Sequence, residues 1–384
     1  MPKNDYFNSK FSKELNKMFK KILFFMFLIT IFALSASAQD KLIRIPYYSP
    51  ETIEELGEFS ITDVRDGYVK LKVTNEHLHV LRNRGYSPEI LIDDLREYTR
   101  QQRKTPQGDR FTSYDAMVAD MQQVAQNYPD ITELHTYGYS VQGREILVMK
   151  ISDNVSQNET EPEVRMLGCH HGDEQMSAEV PLELIHYLTE NYDSDPFITS
   201  LVDEREIWIG PMVNPDGHES NTRYNANGVD INRNYGFMWS SGWVAGDYAY
   251  SEPEVQAIRL MGLEHNFVLS LSFHCSGDVI NYVWNYTYNP TPDDSLVEYL
   301  SEGYEEVTDN NYWVVQGAYW YITHGDTNDW SYGTRTDIDW TIEMDNYNFD
   351  NVWELNRDGI LYIIDQAGMG VHGVVTDAET GSPI

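Results

Sequence analysis

This chain of 384 residues has little cysteine, little positive charge and no long apolar run. Its two cysteines, Cys169 and Cys275, are too few for a disulfide framework. Both lie beside histidines, so proximity in space is expected; buried free thiols are the expectation and a single disulfide stays open. Lys and Arg together number 27 against 61 Asp plus Glu, a net charge of -34. From Phe111 to Ile384 only nine basic residues stand against 46 acidic ones. Such a surface repels nucleic acid and anionic membranes. The excess reads as solvation, with a cationic partner or bound calcium as the lesser reading. It also makes any arginine inside a motif conspicuous.

The apolar run Ile22 to Leu34 falls short of the roughly 20 residues of a membrane span. Lys20-Lys21 precede it and Ala36-Ser37-Ala38 follow it, with Met18 a candidate start. That order is the order of an export signal, so residues 1–38 are expected to be removed. The mature chain is then secreted or periplasmic, with no stable membrane span.

Residues 39–98 alternate short strand-like and helix-like pieces. Leu42–Ile45, Val69–Val73 and Glu89–Ile92 read as strands and Glu76–Leu81 as a helix, which predicts a small α/β domain. A polar, basic linker follows over 99–110, with Arg100, Arg103, Lys104 and Arg110 around Pro106 and Gly108. A trypsin-like protease would reach it, which suggests that 39–98 is a prosegment; a permanent accessory domain is the alternative. From Phe111 strands and helices alternate again, as in an α/β sandwich. Ala116–Tyr128 and Met176–Tyr192 carry helical periodicity, and Ile146–Met149, Val164–Cys169 and Phe267–Phe273 read as strands. Residues 369–384 resemble the first strand and turn of a further β domain, cut short.

Two of the predicted strands end in histidine. His171-Gly172-Asp173-Glu174 follows Val164–Cys169, and His274 follows Phe267–Phe273. Imidazole nitrogen and carboxylate oxygen are both good zinc donors, and a strand-to-helix turn aims residues three apart at one point. Two histidines and a glutamate leave a fourth position open, as a catalytic zinc site requires. His170 and His218 lack partner spacing and are left out. Each histidine taken singly is an ordinary strand-end residue.

Taken together with other motifs, the region from about Phe111 to Gly368 resembles the metallocarboxypeptidase family typified by carboxypeptidase A. Gly138-Tyr-Ser-Val-Gln-Gly-Arg144 resembles its G-x-S-x-x-G-R turn, and His171-x-x-Glu174 its first zinc motif. Asn214-Pro-Asp-Gly217 through Asp230-Ile-Asn232-Arg233-Asn234 resembles its substrate-anchoring segment. Ser272-Phe273-His274 resembles the strand of the third ligand, and Asp329-Trp-Ser-Tyr332 with Thr341-Ile-Glu343 the catalytic end. The resemblance implies a three-layer α/β/α sandwich around a mixed twisted sheet, holding one zinc ion and acting on peptide or protein C-termini.

It also implies a role for each matched residue. His171, Glu174 and His274 are the implied zinc ligands, and Asp230 is the carboxylate that orients the first histidine. Glu343 is the general base for a zinc-activated water, and Arg223 the arginine that stabilises the oxyanion. Asn232 and Arg233 are the pair that grips the terminal carboxylate, and Tyr332 the tyrosine that caps the bound residue. Tyr332 and Glu343 are eleven apart, a short spacing that resembles the regulatory, carboxypeptidase D-like branch; the truncated tail resembles that branch's transthyretin-like domain. Asp173 stands where carboxypeptidase A-type enzymes carry arginine and the regulatory branch often asparagine, at a position that touches substrate further from the cut. Asn285 and Thr334 fall near pocket positions at which that branch carries acids, and Arg335 lies close by, so the preferred C-terminal residue stays open. Two rivals share the motifs: a zinc deacylase or peptidoglycan-trimming enzyme, and an inactive binding module.

Overall fold

The computed structural model describes residues 40–384 apart from 48, 57–58, 66, 96, 99–103, 106–107, 110, 243, 276, 310–311, 345–351, 372–374 and 383–384. The export signal therefore lies outside the described residues, as do most of the linker and part of the expected last strand. Among the described residues no helix is long and apolar enough to cross a membrane.

The N-terminal unit runs β1 (Lys41–Pro46), α1 (Pro50–Leu56), β2 (Ser60–Arg65), β3 (Tyr68–Val73), α2 (Asn75–Asn83) and β4 (Glu89–Ile92). Its sheet has the order β2-β3-β1-β4, each neighbour antiparallel, the split β-α-β-β-α-β arrangement. Period-two alternation sends Val69, Leu71 and Val73 inward and leaves Tyr68, Lys70 and Lys72 on the other face. Its core is not closed on itself. Ile43, Ile45, Leu56, Leu71 and Leu81 share one apolar cluster with Val279, Val315 and Trp320 of the larger unit. Strand β2 escaped the sequence reading because Ser-Ile-Thr-Asp-Val-Arg is mostly polar. A two-stranded ribbon, β5 (Lys104–Thr105) and β6 (Gly108–Asp109), follows.

The larger unit is built on eight strands in the order β13-β12-β14-β11-β9-β10-β8-β7. These are β7 (Thr132–Tyr139), β8 (Glu145–Ile151), β9 (Glu163–Leu167), β10 (Glu206–Gly210), β11 (Phe267–Cys275), β12 (Val279–Tyr282), β13 (Trp313–Gln316) and β14 (Ile338–Met344). The central strands β14, β11, β9 and β10 run parallel, whereas β8 and β12 pair antiparallel to their central neighbours. The sheet is therefore mixed. Helices α3 (Tyr114–Asn127), α4 (Met176–Asn191), α5 (Pro196–Asp203), α6 (Pro215–Ser220), α7 (Pro253–Glu264), α8 (Asp294–Val307), α9 (Gly317–Trp320), α10 (Thr327–Arg335) and α11 (Val352–Gln366) complete the unit.

Alternation divides each strand between two cores. Leu147, Met149 and Ile151 of β8 join α3, α4 and α11 in the large core. Ile146 packs instead with α7 residues Val255, Ala257 and Ile258. This is the expected α/β class, with a helical layer on each face of the sheet.

Strands β11 and β14 depart from an apolar interior in one direction only. Leu269, Leu271, Phe273 and Cys275, with Ile338, Trp340, Ile342 and Met344, enter the large core. Their alternates are Ser270, Ser272 and His274, and Asp337, Asp339, Thr341 and Glu343, all buried. The second face of the central sheet is thus a buried polar surface, and it needs partners. Arg165 supplies them at the lower end: its guanidinium lies 3.0 Å from Asp337 and 3.1 Å from Asp339. Asp339 also accepts from Ser272, and from Thr327 and Ser331 of α10. This network fixes α10 to the sheet.

Two expectations follow from that network. Replacing Arg165 by Met leaves two carboxylates buried without their cation and should lower unfolding free energy by about 3–5 kcal/mol, measurable by urea titration. Burial, opposed by Arg165 and reinforced by Asp337, pushes Asp339 up to about 7. A raised carboxyl keeps in the fold a proton that the unfolded chain releases near pH 4. Its contribution is therefore greatest below pH 4 and is lost as the pH rises to about 7. An Asp339→Asn chain should show a flatter stability profile across that window; an unchanged slope would refute the assignment.

Candidate metal centre and active site

The site forms where the parallel strands end, at the point where β10 and β11 lie on opposite sides of β9, the usual place for a ligand in an open α/β sheet. Strand β9 gives way to Gly168-Cys169-His170-His171, and Cys169 turns the chain with a left-handed φ of 56°. Ser177 holds the turn: its hydroxyl donates to the Glu174 carbonyl and accepts from Cys169 N. Gly172 is required by close packing. A Cβ there would lie 1.9 Å from the carbonyl carbon of Gly217. The metal loop and the Asn214-Pro-Asp-Gly217 turn therefore touch backbone to backbone.

Asn214 ties these segments further. Its side chain accepts from Gly217 N and donates to the carbonyls of His170 and Arg223. Asp216 accepts from Ser140 Oγ, Gln142 N and Arg144 Nη1 at 2.6–2.8 Å. The glycine-bounded turn 138–144 and the 214–217 turn are thus one hydrogen-bonded unit that supports the loop from outside.

His171, Glu174 and His274 are buried and present donor atoms within 4.8 Å of one another. His171 Nδ1 lies 2.7 Å from Glu174 Oε1 and 3.1 Å from His274 Nδ1, and His274 Nδ1 lies 2.9 Å from Glu174 Oε2. Two ring nitrogens and a carboxylate turned toward one point fit a zinc ion, whose nitrogen and oxygen ligands sit at about 2 Å. The charges fit as well. Burial opposes ionisation of Glu174, but His171 and His274 outweigh it and hold the carboxyl well below its ordinary value. Burial likewise opposes Asp230, and Arg223 and His171 hold it well below the carboxylate range. Burial lowers His274 and favours the neutral imidazole that binds metal. Burial and Arg223 act the same way on His171, but Glu174 and Asp230 prevail and raise it. Glu174 and Asp230, both held ionised, give the centre the anionic character that suits a divalent cation.

Asp230 stands behind the donor set. Its Oδ1 is 3.1 Å from His171 Nε2 and accepts from Asn232 N at 3.0 Å. Its Oδ2 receives both Nε and Nη2 of Arg223 at 2.8 Å. Arg223 Nη1 reaches 3.2 Å from His171 Nδ1 and 3.5 Å from Glu174 Oε1. Asp230 also begins the short helical turn Ile231–Arg233, which presents Asn232 and Arg233. Asn232 Oδ1 accepts from Thr327 N at the start of α10, and its Nδ2 lies 3.4 Å from His274 Nε2. Arg233 donates to its neighbour's carbonyl, and Tyr321 lies in its field.

Glu343 is buried on β14 and pairs in register with His274. Tyr332 is buried on α10. Its hydroxyl donates to Asp293 at 2.7 Å and its ring packs on Trp284 at 5.0 Å. Asn285 donates to Asp326, and its backbone N–H bonds Asp329. Cys169 and Cys275 are both buried and free. Sequence reading passed over Ser177, Asn214, Asp216 and Tyr321. The first three belonged to quoted motifs or their flanks, whereas Tyr321 carried no signal.

A sequence profile described as zinc carboxypeptidase matches residues 117–357. Carboxypeptidase D of Mus musculus is 32% identical over 302 residues, covering 69% of this chain and 22% of that protein. Carboxypeptidase M of the same organism is 30% identical over 313 residues, covering 72% and 69%. The chain therefore spans under a quarter of the length of the carboxypeptidase D relative. In fold it is similar to the carboxypeptidase A of Helicoverpa armigera, with a TM-score of 0.75 at 19% identity over 87% of this chain and 98% of that one. Thrombin-activatable fibrinolysis inhibitor gives 0.71 at 18% identity, over 87% and 99%.

The donor geometry predicts that His274→Ala loses stoichiometric zinc. Asp230→Asn, which weakens the support of His171, should lower zinc affinity 10- to 100-fold. Elemental analysis and chelator competition read both effects, and retention of full affinity by Asp230→Asn would contradict the role given to that carboxylate.

Proposed function

The chain belongs to the zinc carboxypeptidase family, and from that premise we propose that it removes single residues from the free C-termini of peptides or proteins after export from the cell. The observation that carries this reading is Arg223, whose Nη1 lies 3.5 Å from Glu174 of the buried His-Glu-His donor set, with Arg233 in the turn that Asp230 caps, in a region with only nine basic residues. In so acidic a setting, a guanidinium at the metal donors and a second in the field of the same Asp230 carboxylate suit a substrate with both a terminal carboxylate and a carbonyl that gains negative charge.

His171, Glu174 and His274 would hold the zinc ion, which when bound polarises the scissile carbonyl and acidifies water. Arg233, with Asn232, takes the terminal carboxylate; a guanidinium fork suits it because it donates two parallel hydrogen bonds. That grip limits the reaction to the chain end. Arg223 is held by Asp230 with Nη1 turned to the metal donors, and stabilises the oxyanion from a preorganised position, an effect worth about 3 kcal/mol. Glu343 receives the proton of the attacking water and passes it to the leaving amine. Tyr332, at the Trp284 wall, closes over the departing residue. Asp230 keeps His171 in the orientation that ligation requires.

Residues 39–98 fit a prosegment on this reading. They form a separate sheet whose core leans on Val279, Val315 and Trp320, and a basic linker follows that a trypsin-like protease would cut.

Incubation with a mixed peptide library, followed by mass spectrometry, tests the proposal. Stepwise loss of C-terminal residues is expected, and it should disappear with a chelator or with Glu343→Gln. Absence of trimming by a zinc-loaded, linker-cleaved chain would favour a deacylase or a cell-wall substrate instead.

A further inference from the structure

The two histidines of the donor set differ in what stands behind them. Each turns Nδ1 to the shared point, so Nε2 is the outer nitrogen of both rings. An imidazole that gives one nitrogen to a metal keeps its proton on the other, and that N–H normally meets a carboxylate, a carbonyl or water. His171 follows the rule, with Asp230 Oδ1 3.1 Å from its Nε2. His274 does not. Its Nε2 faces Asn232 Nδ2 at 3.4 Å, and among the described residues no acceptor bonds it. The Asn232 amide is not free to offer its oxygen instead. Its Oδ1 accepts from Thr327 N at 2.9 Å, and a flip would set one N–H group against another there.

Two N–H groups of the protein thus face one another, and each needs an acceptor that no side chain of the centre supplies. Glu174 is engaged with the two Nδ1 atoms, and Asp230 with His171 and Arg223. Asn232 is 6% and His274 1% exposed, so leaving either donor unmade is costly. At their spacing one oxygen accepts from both with ordinary geometry. The surroundings suit an anionic oxygen, because Arg233 follows Asn232 in the same short turn and hydrogen bonds to ionised acceptors are the stronger ones.

We infer that His274 Nε2–H and Asn232 Nδ2–H share one carboxylate oxygen, that of the substrate's C-terminus, so that a metal ligand also takes part in substrate recognition. The inference rests on the exopeptidase reading above and adds His274 to the clamp of Asn232 and Arg233. Its consequence is coupling. Ligation through Nδ1 fixes the proton on Nε2, and the carboxylate that accepts it secures the ring in the orientation that ligation requires. Zinc and carboxylate therefore bind cooperatively, each raising the other's affinity by the same factor. A C-terminal amide, neutral and a weaker acceptor, couples less.

The test reads the imidazole N–H signals by nuclear magnetic resonance. The full chain carries isotope-labelled histidine and Glu343→Gln, which leaves peptide uncut, and is loaded with zinc. It is measured intact and after cleavage in the 99–110 linker with the added protease inhibited. The Nε2–H of His171, recognised by its response to Asp230→Asn, is the internal reference. An N-acetylated dipeptide acid should move the His274 Nε2–H signal downfield, slow its exchange with solvent at least tenfold and leave the reference in place; the matching dipeptide amide should not. Chelator competition should show zinc held at least tenfold more tightly with the acid than with the amide. Asn232→Asp keeps one oxygen on Thr327 N and turns the other to Nε2. It should shift the His274 signal with no peptide present and abolish the response to the acid. Acetate that moves the signal while calorimetry shows no binding of the dipeptide acid would support the shared acceptor and sink the exopeptidase reading. A signal unmoved by bound acid, by acid and acetate alike, or by Asn232→Asp would overturn the inference and leave Asn232 as a brace for α10.

Discussion

The buried carboxylate of Asp230 is the group on which the rest of the site depends. One oxygen faces His171 and accepts from Asn232 N; the other receives Arg223. Three functions that the proposed chemistry needs are thereby referred to one anion: ligand orientation, charge stabilisation and presentation of the carboxylate clamp. The anion is stable inside the protein because cationic and donor groups surround it, and because it caps the turn that carries Asn232 and Arg233. Loss of that charge would unsettle Arg223 and His171 together, since each is a partner of the same carboxylate.

The sheet gives this centre a rigid base. Strands β11 and β14 are apolar on one side and polar on the other even though both sides are buried. The apolar side anchors them in the large core. The polar side runs from the Arg165–Asp337–Asp339 network at one end to His274 and Glu343 at the other. Helix α10 closes over it with Thr327, Asn328 and Ser331 bonded to β14 residues. One register therefore fixes His274 beside Glu343, and one helix fixes Asn232 and Tyr332 relative to both.

The N-terminal unit is the less expected partner. Its core is continuous with residues of β12, β13 and α9, and its Lys72 reaches the metal loop. A unit of nearly balanced charge thus covers part of a strongly acidic one. The two units therefore meet through charge at Lys72 and Asp173 as well as through apolar packing.

Much of this was legible in the sequence. Period-two alternation marked most strands, and the helix over Met176–Asn191 and strand Glu89–Ile92 fall where periodicity put them. The donor set was legible because His171 and Glu174 share one turn and His274 ends an apolar strand; the arginines stood out because so few others exist. Strand β2 was not legible, since a polar strand is set by its neighbours rather than by its own pattern. Nor were the roles of Gly172 and Asn214, which come from backbone packing between segments more than forty residues apart. By itself the sequence determined the residue types and the local geometry that aims them. Only the tertiary structure decided which groups share Asp230, where Tyr332 rests, and that Lys72 meets Asp173. Those contacts join residues distant in the chain, and local periodicity carries no information about which distant carboxylate a cation will find.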